Sequence, residues 1–165
     1  SLGEANPAAF GAGLFAPRVW NGWIQKDNSI GTEYCPQPLN STGAVSSLSA
    51  TGSDVVGDNC FTLTATNLPE DSFGFFICGQ TQANTPALGG FVCIGGDVGR
   101  GVGGGILNTG SAGSMSVTTT LNLPQPSGAV QVMVGDTWNF QAINRDTIGG
   151  TATATFSNAV EILFQ

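Results

Sequence analysis

Few side chains in this 165-residue chain are of a type that can do chemistry. Histidine, the commonest general base, proton shuttle and transition-metal ligand, is absent altogether. Eleven carboxylates and four cysteines remain. A glycosidase needs two carboxyl groups flanking a substrate. Glu70 and Asp71 are adjacent in what reads as a hairpin turn, so their side chains diverge and solvate the turn. Asp54, Asp58 and Asn59 share one short connection and supply the loop oxygens that a hard cation such as calcium takes, although without EF-hand spacing. Cys35, Cys60, Cys78 and Cys93 contain no CxxC pair, and no histidine can complete a zinc site. Two disulfides, formed in an oxidising compartment, are therefore a better reading than a metal. Three connectivities exist. Aligning Phe61–Thr66 antiparallel to Phe73–Ile77 across a turn at Asn67–Ser72 places Cys60 opposite Cys78. That alignment favours a Cys60–Cys78 bridge and leaves Cys35 to pair with Cys93, each contributing about 3–4 kcal/mol.

The remaining motifs carry less. Gly99–Gly105 is rich enough in glycine to invite a phosphate-loop reading, but Ile106–Gly110 follows where a helix is required, so a flexible loop or edge segment is expected. Trp20, Trp23, Tyr34 and Trp138 could build a sugar-stacking platform, except that Trp138 is in phase with Phe140 and reads as core. Asn40-Ser41-Thr42 matches a glycosylation acceptor. Charge excludes one large class of partner. The net charge is −7, and the four cations, Arg18, Lys26, Arg100 and Arg145, are too scattered to follow a nucleic-acid backbone. No apolar run approaches the roughly 20 residues that span a bilayer, so no membrane span is expected.

The elements that must position these groups are strands. Trp138, Phe140 and Ala142 alternate with Asn139 and Gln141, the signature of a half-buried strand. Val160, Ile162 and Phe164 alternate likewise, so the final residues are expected to be tied into a sheet. From Tyr34 onward, Ala44–Ser53, Cys60–Thr66, Phe73–Gly79, Phe91–Gly95, Ser114–Leu123, Thr137–Arg145, Ala152–Phe156 and Val160–Gln165 all suit strands separated by Gly, Pro, Asn and Asp clusters. Phe61, Leu63 and Ala65, then Met115, Val117, Thr119 and Leu121, mark inward faces. About eight short strands at this spacing predict an all-β fold, an antiparallel β-sandwich of jelly-roll type, over residues 34–165.

Residues 1–33 read differently. Leu2, Phe10, Leu14, Phe15, Val19, Trp20, Trp23 and Ile24 keep neither helical nor strand period, and Pro7 and Pro17 break any helix. An extended N-terminal arm that buries its aromatics somewhere is the plain inference, on its own domain or on a neighbour. Only 9% of the residues are charged, against about 25% in a typical soluble domain. Ser, Thr, Asn, Gln and Gly supply the polar surface instead, as is common in secreted proteins and in subunits that pack against copies of themselves.

One combination of motifs is specific. Tyr34-Cys35 and Asn40–Gly43, Leu48–Ser53, Phe61–Ala65 and Leu68-Pro69 before Phe73–Phe76 form its first half. Cys93–Gly96, Gly99-Arg100, Leu123–Pro126, Gly135–Ala142, Arg145-Asp146 and the Ser157-Asn158 to Phe164-Gln165 ending complete it. Over residues 34–165 this resembles a secreted bacterial surface module, found in many copies in large-genome environmental bacteria with elaborate cell surfaces and of unknown function. The resemblance implies a β-sandwich, export and a Cys35–Cys93 bridge, and brings no catalytic activity or functional residue. Cys60, Cys78 and the arm are additions to its usual pattern. The expectation is therefore a non-catalytic structural protein without a cofactor, extracellular or on a cell surface. It assembles with copies of itself through the eight apolar arm residues, into a filament in one form. A secreted carbohydrate-binding or adhesion module, with surface glycans as partners, is the alternative.

Overall fold

The computed structural model describes residues 28–165. Thirteen strands are found among them: β1 (Thr32–Tyr34), β2 (Ser47–Gly52), β3 (Phe61–Thr66), β4 (Phe73–Gly79), β5 (Thr81–Ala87), β6 (Gly90–Gly95), β7 (Gly99–Arg100), β8 (Leu107–Asn108), β9 (Met115–Thr119), β10 (Asn122–Leu123), β11 (Val130–Gln131), β12 (Thr137–Ile148) and β13 (Thr151–Leu163). The all-β prediction holds. The larger sheet runs β1-β13-β12-β4-β7, with β8 also on β4, and the smaller runs β2-β3-β9.

Alternation builds the space between them. On β3, Phe61, Leu63 and Ala65 are buried while Thr62 and Thr64 face outward, where their hydroxyls meet Thr118 and Ser116 of β9 at 2.8 and 2.9 Å. Opposite them, Phe76 and Cys78 of β4, Trp138, Phe140 and Ala142 of β12, and Val160 and Ile162 of β13 close the core. Phe61 holds it together, with ring centroids 5.2 Å from Phe140 and 5.8 Å from Phe164. Removing such a ring costs about 3–5 kcal/mol.

The half-buried reading of β12 is corrected, because both of its faces are covered. The β5–β6 hairpin lies over the outer face of the larger sheet, where Gln141 meets it. The Gln141 side chain accepts from Cys93 N at 3.0 Å and donates to Phe91 O and Ser157 O, each at 2.9 Å. Cys35 and Cys93 form a disulfide across 58 residues of sequence, pinning the hairpin to the segment that follows β1. A loop of that length corresponds to about 4 kcal/mol of chain entropy.

Three further expectations change. Ala152–Phe156 and Val160–Gln165 are one strand rather than two. A β-bulge opposite Ala142 absorbs the Ser157-Asn158 interruption, and Ser157 Oγ accepts the Ala142 N–H at 2.9 Å. The Cys60–Cys78 bridge is absent, and both cysteines are free. β3 and β4 are not a hairpin: β3 is flanked by β2 and β9, β4 by β12, β7 and β8. Both strands direct alternate apolar residues into the same core, so they stack across it in opposite sheets, with Cys78 buried and Cys60 exposed. The domain also begins before Tyr34. Thr32 and Glu33 pair with Glu161 and Val160 of β13, and Ser29 bridges Thr51 of β2. Residues 28–34 thus cross from one sheet to the other. Gly31 makes that crossing, with φ at +83° and no room for a Cβ, which would stand 2.5 Å from Glu161 O.

Candidate functional site

The chemistry-bearing residues are dispersed, each held by its own local structure. Asp54 accepts from Gln165 Nε2 at 3.3 Å, Asp58 accepts from Ser53 Oγ, and Asn59 Oδ1 accepts from Leu121 N at 2.9 Å. Among the described residues no group of three His, Cys, Asp or Glu side chains is placed to hold a metal ion. Glu70 and Asp71 lie exposed in the turn between β3 and β4, as expected of turn-solvating groups. Cys78 is a buried free thiol. Burial pushes its thiol up to about 12, against a small opposing effect of the Gln125 hydrogen bond.

The glycine-rich stretch forms β7 and a tight turn. Gly103 sits at φ +75° where a Cβ would meet Val117 Cγ2 at 2.1 Å, so its glycine lets the turn lie against β9. Asn40 is buried, donating to Ser46 Oγ at 3.0 Å and to Asn67 O at 2.6 Å and accepting from Thr42. That amide is committed to holding its turn. Of the four aromatics proposed as a platform, Trp20 and Trp23 lie outside the described residues. Trp138 is buried, as its phase with Phe140 implied. It lines a 230 Å³ polar cleft with Gln80, Asp97 and Gln125, and its Nε1–H has no partner among the described residues. Tyr34 is half-buried, donating to Asn139 Oδ1 at 2.9 Å and within 3.0 Å of Cys93 O. Burial first, and the Glu161 carboxylate second, push its hydroxyl above the ordinary range. It is a structural rivet.

The two ends of the sandwich are finished differently. At one end the chain enters. Asn28 O accepts from Gly52 N at 3.0 Å and Ile30 N donates to Ala50 O at 2.9 Å, so residues 28–30 occupy the outer edge of β2. The rest of that edge is closed by a side chain. Asn158 Oδ1 accepts from Leu48 N at 2.7 Å, and its Nδ2 donates to Leu48 O at 3.0 Å, copying the hydrogen bonds of another strand. The eight predicted interface residues, Leu2 to Ile24, all lie outside the described residues.

At the other end, where β4 begins, Phe73, Phe75, Ile106 and Ile143 line a 410 Å³ groove floored by Gly74 and Asn144 and edged by Arg145. Phe73 is 49% exposed and Ile106 70%. A second cavity of 350 Å³ shares Phe73 and Arg145 with it and is bordered by Glu70, Asp71 and Asp146. An apolar groove edged by Arg145 thus adjoins an acidic rim of two exposed side chains, Glu70 and Asp71, at the β3–β4 turn, since Asp146 is buried and accepts from Ser41 N and Thr147 N. Sequence reading missed it, although a signal existed. Phe73, Phe75 and Phe76 put apolar side chains on both faces of one strand, the pattern of a strand covered twice. The β5–β6 hairpin covers Ile77 and leaves Phe73 open. Among the described residues no helix is long and apolar enough to cross a membrane. No protein-family model, curated protein or solved structure matches this chain significantly.

Proposed function

We propose that this chain is a non-catalytic structural protein, exported and extracellular or held at a cell surface. It joins copies of itself through the apolar segment that precedes Asn28. One observation carries the reading: the sandwich is sealed where that segment enters. Residues 28–30 and the Asn158 amide take up the β2 edge, and the core closes from Ile30 to Phe164. The eight apolar arm residues of the sequence therefore require another surface, and a neighbouring subunit supplies one. A contact between unlike surfaces that does not close into a ring grows into a fibre. The Cys35–Cys93 disulfide and the scarcity of charge suit a protein working in an oxidising exterior. Glycan binding, the alternative, keeps Trp20 and Trp23 but loses Trp138 to the core and the Tyr34 hydroxyl to Asn139.

The test compares the full chain with a version lacking residues 1–27, by electron microscopy and sedimentation velocity. The cut belongs before Asn28, because removing Ser29 and Ile30 would open β2. The full chain is expected to assemble and the shortened chain to remain a folded monomer. Assembly by the shortened chain, or a monomeric full chain, overturns the proposal.

A further inference from the structure

The acceptor in this assembly can be located. We infer that the groove of Phe73, Phe75, Ile106 and Ile143, with its acidic rim, receives the Arg18–Lys26 segment of a second copy. The inference rests on the self-association reading above and adds the receiving surface.

Chemical complementarity selects the occupant. Arg18-Val19-Trp20-Asn21-Gly22-Trp23-Ile24-Gln25-Lys26 has four apolar side chains in its middle and a cation at each end. Those ends hold two of the four cations in the chain. The receiving surface offers an apolar groove that shares Phe73 and Arg145 with a cavity bordered by the exposed carboxylates of Glu70 and Asp71, so one cation of the segment has an acidic partner. At 410 Å³ the groove falls within the roughly 300–1,000 Å³ of pockets that accept substantial ligands. Trp20 and Trp23 would enter it, with the Arg145 guanidinium at its edge available to stack on an indole face. A basic residue would meet the rim.

Direction selects the second copy over the chain's own groove. Traced backwards from Ile30 to Asn28, the backbone follows β2 from Ala50 towards Gly52. Gly52 pairs with Phe61, whose ring packs on Phe140 and Phe164. The groove lies at the opposite end, where Gly74 pairs with Asn144. From Phe140 to Asn144 is four residues, about 14 Å of strand. From Ile30 back to Asn28 the described backbone therefore runs away from the groove, towards the other end of the sandwich. That is a head-to-tail arrangement.

Two full-length variants test it. Phe73→Glu places a charge in the groove of a chain whose arm is intact, and Trp20→Ala with Trp23→Ala disarms a chain whose groove is intact. Each alone is expected to self-associate at least about 30-fold more weakly than the unmodified chain, the scale of a lost hot-spot aromatic. Mixed, they should form a one-to-one dimer that grows no further, since one arm meets one groove. Glu70→Lys with Asp71→Lys, both exposed, is the milder variant. It should weaken association by several-fold and remove most of its salt dependence. Near-ultraviolet circular dichroism checks that each variant is folded. If Phe73→Glu assembles like the unmodified chain while the tryptophan variant does not, the arm docks elsewhere, for instance on the free edge of β9, and the groove assignment fails alone. If the tryptophan variant assembles normally, the arm reading itself fails. Two loosened variants that do not pair on mixing would place the arm on its own domain and overturn the inference.

Discussion

Replacing Asn158 by alanine should be among the most damaging polar substitutions in this protein. The Asn158 amide makes two hydrogen bonds to one residue, accepting from Leu48 N at 2.7 Å and donating to Leu48 O at 3.0 Å. Leu48 is fully buried, so neither backbone group has water waiting to replace the amide. A buried polar group left unpaired costs about 1–3 kcal/mol, and two are orphaned, although the freed edge recovers some solvent. About 3 kcal/mol is the expected loss, or roughly 10 °C in Tm for a domain of this size. The same substitution removes the tie between the smaller sheet and β13, at the bulge that turns Asn158 towards β2.

Urea unfolding measures the loss as a lower midpoint with an unchanged m-value. Hydrogen exchange locates it, since the Leu48 amide should lose protection ahead of its neighbours. Asn158→Asp sharpens the test. A carboxylate still accepts from Leu48 N but confronts Leu48 O with charge, so the folded state raises its pKa. The stability it retains is present below the unfolded value, about pH 4, and falls as the pH rises through the folded one. Asn158→Asp should therefore approach the unmodified protein in acid and resemble the alanine variant at neutrality. An Asn158→Ala protein with an unshifted midpoint and a protected Leu48 amide would refute the reasoning.

Two further predictions use the native chain. Ellman's reagent at pH 8 should find one thiol, Cys60, in the folded protein and two after denaturation without reductant, because Cys78 is buried with its pKa pushed up to about 12; two in the native state would contradict the core placement of Cys78. The single tyrosine gives a clean optical signal. Tyr34 has its folded pKa raised above the ordinary 10, so its contribution to stability is complete below about pH 10 and is lost as the pH rises towards the folded value. Phenolate absorbance should lag a model tyrosine until the protein unfolds, and titration at pH 10 in the intact fold would remove the Asn139 hydrogen bond from the account.

The fold class was legible because core strands carry alternation that the pleat enforces. Phe61, Leu63 and Ala65 and the Trp138–Ala142 set were placed correctly on that ground alone. The pairing was not legible. Residues 61–66 and 73–77 have the spacing of a hairpin, and nothing local distinguishes a turn that folds back in one sheet from one that crosses to another. The deciding contacts are long-range: β3 takes β9, some fifty residues on, and β4 takes β12. That misreading alone produced the Cys60–Cys78 bridge. Short polar strands escaped as well. β5, Thr81–Ala87, is mostly exposed and contains Pro86, so neither hydrophobicity nor propensity marks it. The groove was missed because it arises where the β5–β6 hairpin stops, a boundary that alternation cannot express.

The scarcity of charge now has a structural counterpart. A sandwich of short strands exposes many backbone edges, and charged side chains or covering elements are the usual protection. Here amides do that work from within. Asn158 completes the edge of β2, and Gln37 does the same for β6, accepting from Phe91 N at 2.9 Å and donating to Phe91 O at 3.1 Å. An amide presents a donor and an acceptor in the geometry of a peptide group, which a carboxylate or an ammonium cannot. Such closure adds no charge to the surface, whose net −7 rests on few side chains. Specificity must then come from shape and from a few placed charges. Under the association proposed above, Glu70 and Asp71 beside Phe73 and the cations Arg18 and Lys26 of the arm sequence would be charges of that kind. In the proposed assembly Glu70 and Asp71, at the opposite end of the sandwich from Asn28, would serve one side of the contact and the cations of the arm sequence the other.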